Sequence, residues 1–310
     1  MRSGLLVLLL ALAPTAVAAA DAPAPPALQV TLVGTGDPLP RIDRFGPATL
    51  VVAGEHTLLF DVGRGTLQRL RQVGVSTGSL DAIFLTHLHS DHVVGLVDLW
   101  LSGWVVNARD RPLKLYGPVG TRAMVEHLAQ AFAFDIDMRV NEARRSREGA
   151  RIEVVEIGPG TVWEQDGVVV QAFAVDHGPV APAFGFRVDH GGHAVALSGD
   201  TRFSESLIEH AAGVDLLVHE VAEASEAFKR EHPGVPRLSH HTQARDAGRV
   251  FAAVKPKLAV YSHLVLVDPF DAATLPELTR ETYDGKVLVG EDLMSFAIGD
   301  DVRVTGPPAD

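Results

Sequence analysis

The chain has 310 residues, 46% of them hydrophobic, with 27 Lys and Arg against 39 Asp and Glu and no cysteine. A formal charge of −12 argues against a protein that grips a phosphate backbone, because such proteins displace counterions with clustered cations. The lack of cysteine removes disulfides, thiolate zinc sites, iron–sulfur clusters and cysteine nucleophiles, so any metal must be held by nitrogen and oxygen.

Residues 1–20 read as an export signal. Arg2 supplies the positive start, residues 5–13 form an apolar run too short to span a bilayer, and Ala18-Ala19-Ala20 offer the small residues that a signal peptidase cleaves. The mature chain, 21–310, is expected to be a single exported domain, periplasmic or secreted, without stable membrane insertion. β-branched-rich runs predict strands over 28–33, 50–53, 58–61 and 82–85, with a short helix over 66–72. An apolar helix over 94–106 carries Trp100 and Trp104, and a strand at 113–116 precedes a helix near 121–133. The charged stretch 141–149, with Arg144, Arg145 and Arg147, reads as a solvated loop. Strands follow at 152–157, 168–175 and 184–188, and Gly191-Gly192 turns the last of these into 194–197. The final third predicts strands at 216–218 and 258–261, a helix at 243–254 and a hairpin over 286–298. Hairpins mixed with βα units point to an α/β fold with helices outside a mixed sheet.

The chemistry concentrates in Thr86-His87-Leu88-His89-Ser90-Asp91-His92, where a strand runs directly into four ligand-type side chains. Imidazole and carboxylate suit zinc, and would also accept manganese or iron. Alternation puts His87 and His89 on one face of an extended segment. His177, Asp200 and His263 each end a predicted strand, which is the arrangement a shared cleft requires. His56, His127, His190, His193, His210 and His232 sit in polar surroundings and read as surface residues.

His87-x-His89-x-Asp91-His92 resembles the signature of the metallo-β-lactamase superfamily, in the two-metal hydrolase branch that includes ribonuclease Z and arylsulfatase-like proteins. Gly34-Thr35-Gly36-Asp37-Pro38, Phe184-Gly185-Phe186-Arg187 and Ser198-Gly199-Asp200-Thr201 extend the resemblance, as do His219-Glu220, His241 and His263. It implies a four-layer αββα sandwich holding two zinc ions at the edge between its sheets. His87, His89 and His177 would hold one ion, Asp91, His92 and His263 the other, and Asp200 would bridge them. Asp61 resembles the family's buried carboxylate that orients a ligand histidine. Asp91, His219, Glu220 and His241 are the candidate catalytic groups; His241 resembles the residue that the family places beside the reacting oxygen, with His240 its rival.

Two dications less two carboxylates and one hydroxide leave about one positive charge, which favours anionic substrates. The expected reaction is hydrolysis of small aryl sulfates or phosphodiesters by a metal-bridging hydroxide. A lactonase or other carbonyl-directed hydrolase is the alternative, followed by a ribonuclease Z-type endonuclease and a metal-binding protein without catalysis. His177 and Asp200 are too close in sequence for the long arm with which ribonuclease Z grips transfer RNA. The expected partner is therefore a small ester and not nucleic acid, with the choice between monomer and homodimer left open.

Overall fold

The structure is a computed structural model that describes residues 26–267 and 270–306; the predicted export signal lies outside them. Strands β1 (Leu28–Gly34), β2 (Ala48–Ala53), β3 (His56–Phe60), β4 (Ala82–Phe84), β5 (Leu113–Gly117) and β6 (Ile152–Glu156) come first and build most of one sheet. The second sheet takes β7 (Gly160–Gln165), β8 (Val168–Ala174), β9 (Phe184–His190), β10 (His193–Leu197), β11 (Leu216–Glu223), β12 (Leu258–Leu266) and β13 (Val287–Val289). The chain then returns to the first sheet with β14 (Ser295–Ile298) and β15 (Val302–Thr305). The orders are β15-β14-β1-β2-β3-β4-β5-β6 and β13-β12-β11-β10-β9-β8-β7.

Side-chain alternation makes the layers. Along β4, Ala82 and Phe84 face the opposite sheet, while Ile83 faces the outer helices. Leu216 and Val218 of β11 likewise face inward, and Leu217 outward. Phe60, Phe84 and Phe186 interlock at the centre, with ring centroids 5.0–5.7 Å apart. Helices α1 (Thr66–Gln72), α2 (Ser90–Val93), α3 (Leu96–Val105), α4 (Thr121–Ala131) and α5 (Ala133–Asn141) belong to the first half of the chain. Trp100 and Trp104 of α3 pack on the outer face of the first sheet with Leu59, Ile83 and Leu115. Helices α6 (Glu205–His210), α7 (Glu226–Glu231), α8 (Pro236–Ser239), α9 (Ala244–Val254) and α10 (Leu275–Thr279) follow. Phe251 and Val250 of α9 cover the second sheet against Leu217 and Tyr261. The result is the expected four-layer αββα sandwich. Parallel β11 and β12 are buried along their whole length, as central strands covered on both faces must be.

Three expectations change. The predicted hairpin over 286–298 is a crossover: β13 runs parallel to β12 in one sheet, and β14 antiparallel to β1 in the other. Two short apolar runs around a glycine look alike in both cases, and only the partner strands distinguish them. The sequence reading also missed β7 and α5, most of whose residues are not buried; Ile136 is the one buried residue of α5. His56, read as a surface residue, is buried against Trp163, with its ring nitrogens 3.0 Å from Asp166 and 3.6 Å from Asp81.

Candidate metal centre

The centre is built at the ends of β3, β4, β8 and β10 and within β12. Past β4, the Thr86 backbone N–H donates to the Asp61 carboxylate at 2.8 Å, and the chain turns outward through His87 and His89 into α2. Asp91 and His92 occupy the first turn of that helix. Asp61 itself takes a left-handed backbone conformation (φ 60°) after β3. Its Oδ2 lies 2.8 Å from His92 Nδ1 and accepts the Thr86 hydroxyl at 2.9 Å.

His263 reaches the site through a bulge. Glu220 pairs with Ser262 and Val221 with Leu264, leaving His263 as the extra residue, at φ 44°. Bulges of this kind re-aim a side chain, and the strained backbone is characteristic of functional positions. Across the cleft, Gly199 (φ 59°) lets the chain turn tightly against the Phe184 carbonyl before presenting Asp200.

The ligand atoms converge. Those of His87, His89, His177 and Asp200 lie within 4.8 Å of one another, as do those of Asp91, His92 and His263. Asp200 Oδ2 sits between the two sets, 3.8 Å from His87 Nε2 and His177 Nε2, 3.3 Å from His92 Nε2 and 3.5 Å from His263 Nε2. His87 Nε2 and His89 Nδ1 are 2.9 Å apart, and His92 Nε2 and His263 Nε2 3.3 Å. Two outward nitrogens have other partners: His177 Nδ1 donates to the His240 carbonyl at 3.0 Å, and His87 Nδ1 lies 3.0 Å from the Thr86 hydroxyl. A proton held on Nδ1 leaves the Nε2 lone pair facing the cluster. That donor set fits two zinc ions.

Electrostatics agree with this arrangement. Burial, reinforced by His92, lowers the pKa of His87, and burial does the same at His89 and His177. Burial opposes ionisation of Asp200, but the surrounding His263 and His92 outweigh it and hold the carboxylate well below its usual range.

His241 stands beside the cluster, with one ring nitrogen within 4.8 Å of ligand atoms of Asp200 and His263. Its Nδ1 lies 3.1 Å from Glu220 Oε2, while Glu220 Oε1 accepts the Thr242 N–H at 2.8 Å. Burial works against a charged His241, but Glu220, by charge and by hydrogen bond, together with Asp200 raises its pKa to about 9. His219 goes elsewhere. As the neighbour of Glu220 on a strand it points to the opposite face, fully buried edge-on to Phe251 of α9. The structure therefore brings Glu220 and His241 together and leaves His219 out. Arg147 pairs with Asp137 of α5 at 2.9 Å rather than with the cluster. Sequence reasoning missed Thr86, whose position at a strand end was the available signal. It also missed the His240 carbonyl, for which no side-chain signal exists.

Residues 56–264 match the family described as the beta-lactamase superfamily domain. A Ribonuclease Z of Mycobacterium bovis is 38% identical over 270 residues, covering 86% of this chain and 96% of that protein. Among solved structures, the metallo-β-lactamase-fold protein YhfI of Bacillus subtilis superposes with a TM-score of 0.70 at 19% identity, covering 86% of this chain and 98% of that one. The short form of human tRNase Z superposes with a TM-score of 0.67 at 23% identity, covering 87% and 99%.

The exclusion of nucleic acid is overturned by the mycobacterial relative, which bears the ribonuclease name over nearly its whole length. Net charge is a sum over the surface and does not describe the field at a cation-binding cleft. The family match, the four layers and the clustered His and Asp side chains agree: the chain belongs to the metallo-β-lactamase superfamily.

Proposed function

We propose that the protein is a metal-dependent phosphodiester hydrolase that acts on RNA, as the name of its mycobacterial relatives says of them. The observation that carries this reading is Asp200, placed between two His/Asp sets, with the Glu220–His241 pair beside it. His87, His89 and His177 would hold one zinc ion and Asp91, His92 and His263 the other, with Asp200 shared. Two divalent cations bound there supply Lewis acidity and an activated water to a phosphodiester. The chain's own groups do the rest. Asp61 and Thr86 fix the His92 ring, the His240 carbonyl fixes the His177 ring, and Glu220 orients His241 and favours its protonated form. His241 is then the group that passes a proton to the departing oxygen. His219, buried on the far face of β11, has no part in the reaction.

The test is a substrate panel on purified, metal-replete protein: precursor transfer RNA, an RNA oligonucleotide, aryl phosphodiesters, aryl sulfates and lactones. Chelator-sensitive RNA cleavage, restored by added zinc or manganese, is the expected result. Turnover of aryl esters with RNA left intact would instead favour a small-ester hydrolase. That second reading draws on the His177–Asp200 segment, which is filled by β9, β10 and short connections and projects no arm. Export of a single mature domain is a separate proposal. Amino-terminal sequencing of the protein from its native host tests it, and an intact Met1 in the cytosolic fraction would contradict it.

A further inference from the structure

Asp200 is followed by Thr201, which is buried, and by Arg202, whose side chain is 40% exposed at the rim of the centre. The base of Arg202 is tightly held. Its backbone N–H donates to the Asp176 carbonyl at 2.7 Å, and its Nε donates to the Ser239 carbonyl at 2.6 Å. The terminal nitrogens are engaged far less. Nη1 lies 3.6 Å from the exposed Asp176 carboxylate, a contact worth little in water. Nη2 rests over Gly178, the residue after His177, beside the His240 ring; a Cβ added at Gly178 would stand 3.0 Å from Nη2 and 2.8 Å from that ring. The His240 ring in turn is 6.3 Å from the His177 ring, centroid to centroid. A guanidinium with its Nε fixed and its fork only loosely paired is suited to take up a phosphate oxygen. It lies one imidazole further out than the metal-facing cluster.

From this geometry we infer that Arg202, with the His240 ring as a wall, forms a seat for the phosphate next to the scissile one in a polynucleotide. The inference rests on the RNA reading above and adds to it a subsite that a single aryl phosphodiester cannot fill. Gly178 is part of the seat, because any side chain there would push the ring and the guanidinium aside. Asp176 is its competitor, and yields because it is solvated and distant.

Two measurements on Arg202→Met test the assignment. In the first, kcat/KM is compared for an RNA oligonucleotide and for bis(4-nitrophenyl) phosphate, which carries one phosphate. The ratio of RNA to small-ester activity should fall at least tenfold relative to wild type. In the second, binding of a fluorescent RNA oligonucleotide to chelator-treated protein is followed by anisotropy across a potassium chloride series. The slope of log affinity against log salt should decrease by about 0.7, the signature of one lost contact to a single-strand phosphate. Arg202→Lys should restore part of that slope. If Arg202 only holds the Ser239 carbonyl, and through it the His240–His241 segment, both substrates will suffer alike and the slope will not move. That outcome overturns the phosphate seat and leaves the RNA reading intact. Wild-type protein that neither binds nor cleaves RNA overturns both.

Discussion

At the residue scale the arrangement separates groups that hold from a group that reacts. His241 borders the ligand set but is tied through Nδ1 to Glu220, so replacing it should spare the metals. In His241→Ala the metal content should stay at wild-type level while the rate falls roughly a hundred- to ten-thousand-fold, the range for loss of a general acid. The loss should shrink for a nitrophenolate leaving group, which hardly needs a proton, and metal loss measured by elemental analysis would reassign His241 as a ligand. The same pair has a consequence for stability. Burial disfavours the His241 charge, yet Glu220 and Asp200 prevail and raise the folded pKa to about 9. A raised imidazole pKa adds stability that is complete below the unfolded value near 6.5 and fades as pH climbs through about 9. In chelator-treated protein, His241→Gln should therefore cost on the order of 2–3 kcal/mol at pH 6 and much less at pH 9.5. Urea unfolding at the two pH values measures this, and equal costs would mean the pair carries no net charge interaction.

At the scale of elements, loops after β3, β4, β8 and β10 and the bulge in β12 do the positioning. Gly199 is the tightest point. At φ 59° it is already strained for any other residue, and a Cβ there would meet the Phe184 carbonyl oxygen at 2.3 Å. Gly199→Ala should destabilise the fold by about 1–3 kcal/mol and displace Asp200, so that metal stoichiometry falls along with the denaturation midpoint. Full metal occupancy in that variant would show that the turn can relax without moving the carboxylate. The His263 bulge was invisible in the sequence. Ser262-His263-Leu264 reads as an ordinary end of strand, and the extra residue exists only relative to the register of β11. Similarly, the chain from Val287 to Ile298 has strand-like ends around Gly290, and nothing local tells a hairpin from a passage between sheets.

At the scale of the whole molecule, two sheets meet over a shared apolar core and the metal-binding edge is assembled from residues spread from His87 to His263. Ligands so dispersed make the centre cooperative with folding. Asp200→Ala should empty both metal positions, whereas His263→Ala should empty mainly the one formed with Asp91 and His92. Elemental analysis of both variants distinguishes these, and one tightly held metal in fully active wild-type protein would rule out a two-metal mechanism. Because metal binds the folded chain, each ion should also raise stability by about 2.7 kcal/mol when free metal exceeds its dissociation constant a hundredfold. Chelation should lower the melting temperature accordingly.

By itself the sequence determined the elements whose signals are local. Helix α1 and most of the strands followed from β-branched runs and turn residues, and the density of ligand-type side chains from His87 to His92 announced a metal centre. It also placed His177 and Asp200 just past strand ends, because an apolar run that stops at a polar residue marks the edge of a core, whereas His263, read as another strand end, lies within β12, which runs on to Leu266. Only the tertiary structure decided which ends meet, that His219 and Glu220 point to opposite faces of β11, and that β13 and β14 belong to different sheets. It also revealed the carbonyl of His240 behind the His177 ring, and Arg202 held by Ser239 beside it. The physical reason is common to all of these. Periodicity and composition report what one segment prefers, whereas register, face and backbone hydrogen bonds between distant segments exist only once the two sheets have packed.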